Sequence, residues 1–170
     1  ARRASELDPL SYKPWSTLSA LHLGAGQLAP ARAAAVRSLE LERSQWSALT
    51  CLATVELLEG RPEAALEVSR RIDEPLFHLQ FEAMARHRMG QPRASERALQ
   101  ALVAQHAQDA PYQVATVHAW RGEADEAFRW LERAIDQGDG GVLDLRLEPF
   151  FRSLEGDPRY RAVLARAGLP

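Results

Sequence analysis

The sequence predicts an all-α fold, a solenoid built from antiparallel helical hairpins that follow one another along the chain. Three observations carry this expectation. Gly26, Gly60, Gly90 and Gly122 recur at intervals of 34, 30 and 32 residues, a range of periods that belongs to repeat architectures. A small residue stands seven positions before each glycine (Ser19, Ala53, Ala83, Ala115), and another stands five after it (Ala31, Ala65, Ser95, Ala127). Alternation of period two does not persist beyond a few residues and β-branched residues are few, so no strand pattern competes.

Each glycine interval reads as two helices around a turn. Over 12–24 the apolar residues Trp15, Leu18, Leu21 and Leu23 recur at roughly helical spacing,. Gly24 and Gly26 break that pattern, and Pro30 falls in the first turn of the next helix, which runs to about Glu42,. The second interval gives helices near 46–58 and 62–71, the third near 75–89 and 92–107, the fourth near 111–121 and 124–137. Pro62, Pro75, Pro92 and Pro111 open helices, and the glycines close them, which is the expected asymmetry of the two helix ends. Gly138 to Gly141 reads as a flexible break after the fourth hairpin. Beyond it, Glu148–Leu154 and Pro158–Ala167 read as two short helices, the second capped by Asp157,.

These elements give one domain over 1–170. Its repeats occupy 12–43, 46–73, 75–107 and 111–138, with a capping segment over 142–170. Residues 1–10 are expected to close an upstream repeat, because Glu6-Leu7-Asp8-Pro9 has the form of a repeat ending.

Bulk composition excludes several classes of function. The hydrophobic fraction of 46% suits a chain that buries a core, and a formal charge of −2 supplies no broad basic field for nucleic acid,. No apolar run approaches the ~18 residues of a membrane span. The one cysteine, Cys51, excludes an internal disulfide and a multi-cysteine metal site,. It lies in the apolar stretch TCLATVELL with no base beside it, so it reads as a buried, inert thiol,. The glycines at 138–141 lack the Lys-Ser/Thr ending of a phosphate loop, and Asp125 and Glu126 sit where a helix N-terminus favours negative charge,. Neither Gly-x-Ser-x-Gly nor His-Glu-x-x-His occurs,. The expectation is a protein without catalytic residues, metal or cofactor.

The residues at the repeat positions resemble those of the tetratricopeptide repeat family. The first repeat supplies Trp15, Ser19, Gly26, Ala31 and Ser38, and the fourth supplies Ala115, Gly122, Ala127 and Ala134 within WRGEADEAFRWLERAI. The second matches at Leu49, Ala53, Gly60 and Ala65 but has Ile72 at the last small position. The third matches at Leu79, Ala83, Gly90 and Ser95 but has Leu102 there. The tail, LEPFFRSLEGDPRYRAVLARAGLP, is similar to the closing segment of repeat regions in bacterial regulators, which usually carry Asp where this chain has Glu148. The resemblance implies a right-handed superhelix and a non-enzymatic interaction module within a larger bacterial regulatory or signalling protein.

The resemblance also implies a concave face lined by the first helix of each repeat. Its candidate partner-binding residues are Lys13, Ser16, Ser47, Thr50, Thr54, Phe77, Gln80, Met84, His87, Tyr112 and Thr116. Such a groove is polar at one end and carries Phe77, Met84 and Tyr112 at the other, which suits a protein or peptide segment. With no asparagine and only Lys13 as lysine, the face lacks the cluster that holds a C-terminal carboxylate in some members. Self-association into a homodimer is one alternative, and a small-ligand sensor or helical enzyme using the aromatic half is another. Trp120 and Trp130 have arginines beside them, yet core packing explains their helical spacing. His22 and His118 occupy one repeat position and read as structural. The arginines at 86, 88, 93 and 97, with Arg70 and Arg71, read as a solvated mixed face, diluted by Glu82 and Glu96.

Overall fold

A computed structural model of the chain describes residues 11–169. The repeat ending expected at residues 1–10 lies outside them. Among the described residues no strand occurs, and the helices are α1 (Tyr12–Gly24), α2 (Leu28–Leu41), α3 (Trp46–Leu58), α4 (Pro62–Ser69), α5 (Pro75–Arg88), α6 (Pro92–His106), α7 (Pro111–Trp120), α8 (Ala124–Gln137) and α9 (Pro158–Arg166). Two 3-10 turns, Gly140–Asp144 and Pro149–Leu154, precede α9. The chain divides into two compact units, one running to Phe81 and the other beginning at Glu82, so that the division falls within α5.

The four spaced glycines end helices by one shared device. Each has positive φ, from +69° at Gly90 to +78° at Gly122. At Gly60 the glycine N–H donates to the Leu57 carbonyl at 3.0 Å, and the Arg61 N–H donates to the Glu56 carbonyl at 2.8 Å. The same pair of bonds recurs at Gly122, where Gly122 donates to Ala119 at 3.1 Å and Glu123 to His118 at 2.9 Å. This pattern satisfies the last carbonyls of a helix and places one residue in the left-handed region, where a Cβ is strained. The next helix starts at once: the Arg61 carbonyl accepts from Ala65 N–H at 3.1 Å and the Glu123 carbonyl from Ala127 N–H at 3.0 Å.

The residues flanking the glycines confirm the close packing. All eight small residues at the two fixed offsets are 0–1% exposed. A larger side chain at such a site overpacks the contact, at a cost of about 1–3 kcal/mol. Ser95 shows why a hydroxyl is tolerated, since its Oγ donates to the Ala83 carbonyl at 2.7 Å. Ile72 and Leu102, where the last small position is lost, are buried as well.

In the first unit α1 packs on α2, α2 on α3 and α3 on α4. Helix α3 is covered nearly all round, with Ala48, Leu49, Leu52, Ala53, Val55 and Leu57 in the core. That explains its run of apolar residues without a polar face. In the second unit α7 and α8 form a hairpin that the two 3-10 turns and α9 cover. Tyr112, Phe128, Leu131, Leu145, Phe151, Leu154 and Tyr160 share one core there.

Two expectations need correction. The glycine-rich stretch at 138–141 is fastened rather than flexible. The Asp139 carboxylate accepts from Gly141 N–H at 2.8 Å and from Tyr112 N–H at 3.0 Å. A Cβ at Gly141 would lie 2.7 Å from Tyr112 ring carbons, so the backbone approaches as only glycine permits,. The segment expected as a helix from Glu148 is instead the 3-10 turn Pro149–Leu154, capped by the Glu148 carboxylate. Phe150, Phe151 and Leu154 are all buried within six residues, and the tighter turn suits so short a piece.

Candidate functional site

The first unit carries an open pocket of ≈ 480 Å³ at the starts of α3 and α5, lined by Ser44, Trp46, Asp73, Glu74, Leu76 and Phe77. Its floor is aromatic. The Trp46 and Phe77 rings are stacked, with centroids 5.0 Å apart and planes 11° from parallel. Trp46 remains 50% exposed, a large apolar side chain left to solvent. The charged groups in the lining are both carboxylates, Asp73 and Glu74, and both residues are exposed.

The second unit carries a shallower depression lined by Pro92, Arg93, Glu96, Arg97 and Arg121. The Arg121 guanidinium donates to Glu96 at 3.0 Å and pairs with Glu123 at 2.8 Å. Arg86 donates to Gln91 at 2.7 Å, and Arg88 lies 5.9 Å from the Trp120 ring centre. Part of the arginine group around Gly90 is thereby committed to neighbours within the unit. His87 is half-buried, and burial, followed by the positive charge of Arg121, pushes its imidazole below the ordinary range. Cys51 in α3 is buried, and loss of solvation pushes its thiol up to about 11, which leaves it protonated and unreactive,.

No protein-family profile matches the chain, and no curated protein matches it in sequence. A solved structure matches it in fold. YrrB, described as a TPR protein with an unusual peptide-binding site, aligns over 98% of this chain and 89% of its own, with a TM-score of 0.56 and 20% identity. The chain has a TPR fold.

Within this TPR fold the candidate residues divide by exposure. Lys13 is exposed, and Ser47, Thr50, Phe77 and His87 are half-buried. Ser16 is buried, its hydroxyl 2.5 Å from that of Ser47. Thr54 and Gln80 are buried as well. Met84, Tyr112 and Thr116 are core residues, at 0%, 4% and 0% exposure. The expected solvent-facing aromatic half therefore loses Met84 and Tyr112. Tyr112 is covered because the 138–141 turn closes onto it and Phe151 packs edge-on against its ring at 5.4 Å. Beside Met84 the Trp120 indole donates to the Met84 carbonyl at 3.1 Å.

The sequence-predicted set contains Phe77 and omits Trp46, which the structure stacks on it. The missing signal was present: Trp46 stands 31 residues before Phe77, nearly one repeat, so the starts of successive first helices bring the two together. The tryptophan–arginine pairs also differ from sequence adjacency. Arg88 and Arg133, rather than Arg121 and Arg129, lie against Trp120 and Trp130.

Proposed function

We propose that this chain is a non-enzymatic protein-interaction module that docks a peptide or protein segment on the Trp46–Phe77 platform of its first unit. One observation carries the reading. A tryptophan stacked on a phenylalanine is left half exposed in an open pocket, and buried tryptophans are the commonest energetic anchors of interfaces. Lys13, Ser47 and Thr50 are the accessible polar candidates of the same unit, outside the pocket lining itself. The likeness in fold to YrrB, a TPR protein with a peptide-binding site, supports the same reading. The similarity of the tail to those of bacterial regulators favours a place in a regulatory or signalling protein.

Selection of phage-displayed random peptides against the full 170-residue chain tests the proposal. Enriched peptides should bind saturably in fluorescence anisotropy, and Trp46→Ala should weaken them at least tenfold, about 1.4 kcal/mol or more, with an unchanged melting temperature. Equal binding to Trp46→Ala, or no saturable binding, overturns it.

A further inference from the structure

We infer that the Trp46–Phe77 pocket receives an arginine side chain of the partner segment. The inference rests on the docking reading above and adds the chemistry of the occupant. Three features of the pocket point the same way.

The first is the platform. Trp46 is stacked on Phe77 and keeps half its surface in solvent. An indole is the best of the side-chain rings for a cation above it. The second is the charge. Asp73 and Glu74 contribute two carboxylates to the lining and no basic residue contributes to it. Neither carboxylate forms an ion pair among the described residues. Elsewhere in this unit Arg32 and Arg61 are taken up by Glu56 and Glu59, Arg37 by Glu40 and Arg70 by Glu67, and the exposed Arg43 and Arg71 are not among the lining residues. The third is the remaining polar group. The Ser44 hydroxyl already donates to the Glu42 carboxylate at 2.9 Å, so toward an occupant it can only accept.

The polar groups around an aromatic floor are therefore acceptors awaiting a donor. An acidic occupant would meet two like charges, and an uncharged one would gain nothing from them. A guanidinium meets both demands at once. Its flat face lies on the rings and its fork of N–H groups reaches carboxylates in pairs, whereas an ammonium offers a compact, strongly hydrated charge.

The test uses N-acetyl-arginine N-methylamide as the probe, with the corresponding lysine, norleucine and glutamate compounds beside it. Each is titrated into the full 15N-labelled chain while the indole N–H resonance of Trp46, assigned through Trp46→Phe, is followed by NMR. The arginine compound should shift that resonance saturably. Asp73→Asn with Glu74→Gln should weaken the binding about tenfold, with the amide spectrum otherwise retained, and added salt should weaken it too. Equal or larger shifts with norleucine or glutamate overturn the inference, and lysine binding as tightly as arginine overturns the guanidinium assignment. Phage-selected peptides that bind through Trp46 while the arginine compound does not would sink this inference and leave the docking reading standing. Peptides that ignore Trp46 would remove both.

Discussion

Glu56 in the first unit and Glu148 in the second are both withdrawn from water, and their environments push them in opposite directions. Burial alone would raise the Glu56 carboxyl. Hydrogen bonds from Arg32 and Arg61, with their positive charges, outweigh burial and hold it below its ordinary range. Its side chain is only 8% exposed, yet it is charged and doubly paired. Glu148 has no arginine bonded to it among the described residues. Burial pushes it up to about 7; the Phe150 N–H at 3.4 Å opposes this, the Asp144 carboxylate adds to it, and the charge of Arg152 opposes it last. Burial thus sets the sign of the shift unless a cation is in contact.

The same lesson appears at two equivalent turns. Arg32, six residues after Gly26, pairs with Glu59, the residue before Gly60. Glu96, six residues after Gly90, pairs with Arg121, the residue before Gly122. The slot between successive hairpins is the same and the charges are exchanged. The backbone device fixes where the two side chains meet, and the sequence need only supply opposite signs.

Removing Glu56 is the strongest way to break the comparison. Glu56→Ala removes the buried carboxylate that Arg32 and Arg61 share, leaving both with Glu59 alone, and should lower unfolding free energy by about 1–2 kcal/mol. Urea unfolding with an unchanged slope checks this; a loss below about 0.5 kcal/mol would mean that the pair contributes little. Next comes Glu148. Its folded value lies above the ordinary 4.5, so the folded protein holds the proton more tightly. The stability from this group is complete at low pH and is lost as pH rises from 4.5 toward 7,. Glu148→Gln keeps an acceptor for the Phe150 N–H. It should match the wild type near about pH 4 and exceed it near about pH 8. Parallel urea midpoints at all pH values would contradict the assignment. The smallest effect belongs to the exchanged pair. Glu96→Arg and Arg121→Glu should each cost about 1 kcal/mol, and the double variant should recover most of it. Additive losses would show that the slot does not discriminate by pairing.

The backbone plan was legible because it rests on local rules. Glycine at a left-handed helix end, proline at a helix start and alanine where helices touch each leave a mark on the sequence. Helix boundaries consequently fell within two or three residues of expectation over most of the chain, as with 12–24, 46–58 and 124–137. The site was less legible because exposure depends on what folds over a residue later. Tyr112 holds an inward-facing position in the repeat pattern, and only the distant Asp139–Gly141 turn decides that it is covered. The clasp between His118 and Glu123, 2.6 Å apart across the Gly122 turn, was likewise invisible as chemistry. Equivalent positions hold Glu56 with Arg61 and His22 with Gln27. The residue types change while the five-residue separation does not.

The covering of the last hairpin has a consequence for how such chains assemble. A helical pair in an array leaves its outer flank as oily as the flank it buries, and that flank would welcome a further pair from any neighbour. Here Phe151, Leu154, Tyr160 and Val163 occupy it from within the same polypeptide, and the Tyr160 hydroxyl secures the lid by donating to the Leu145 carbonyl at 3.2 Å. Another molecule could reach this flank only by displacing the segment that already covers it.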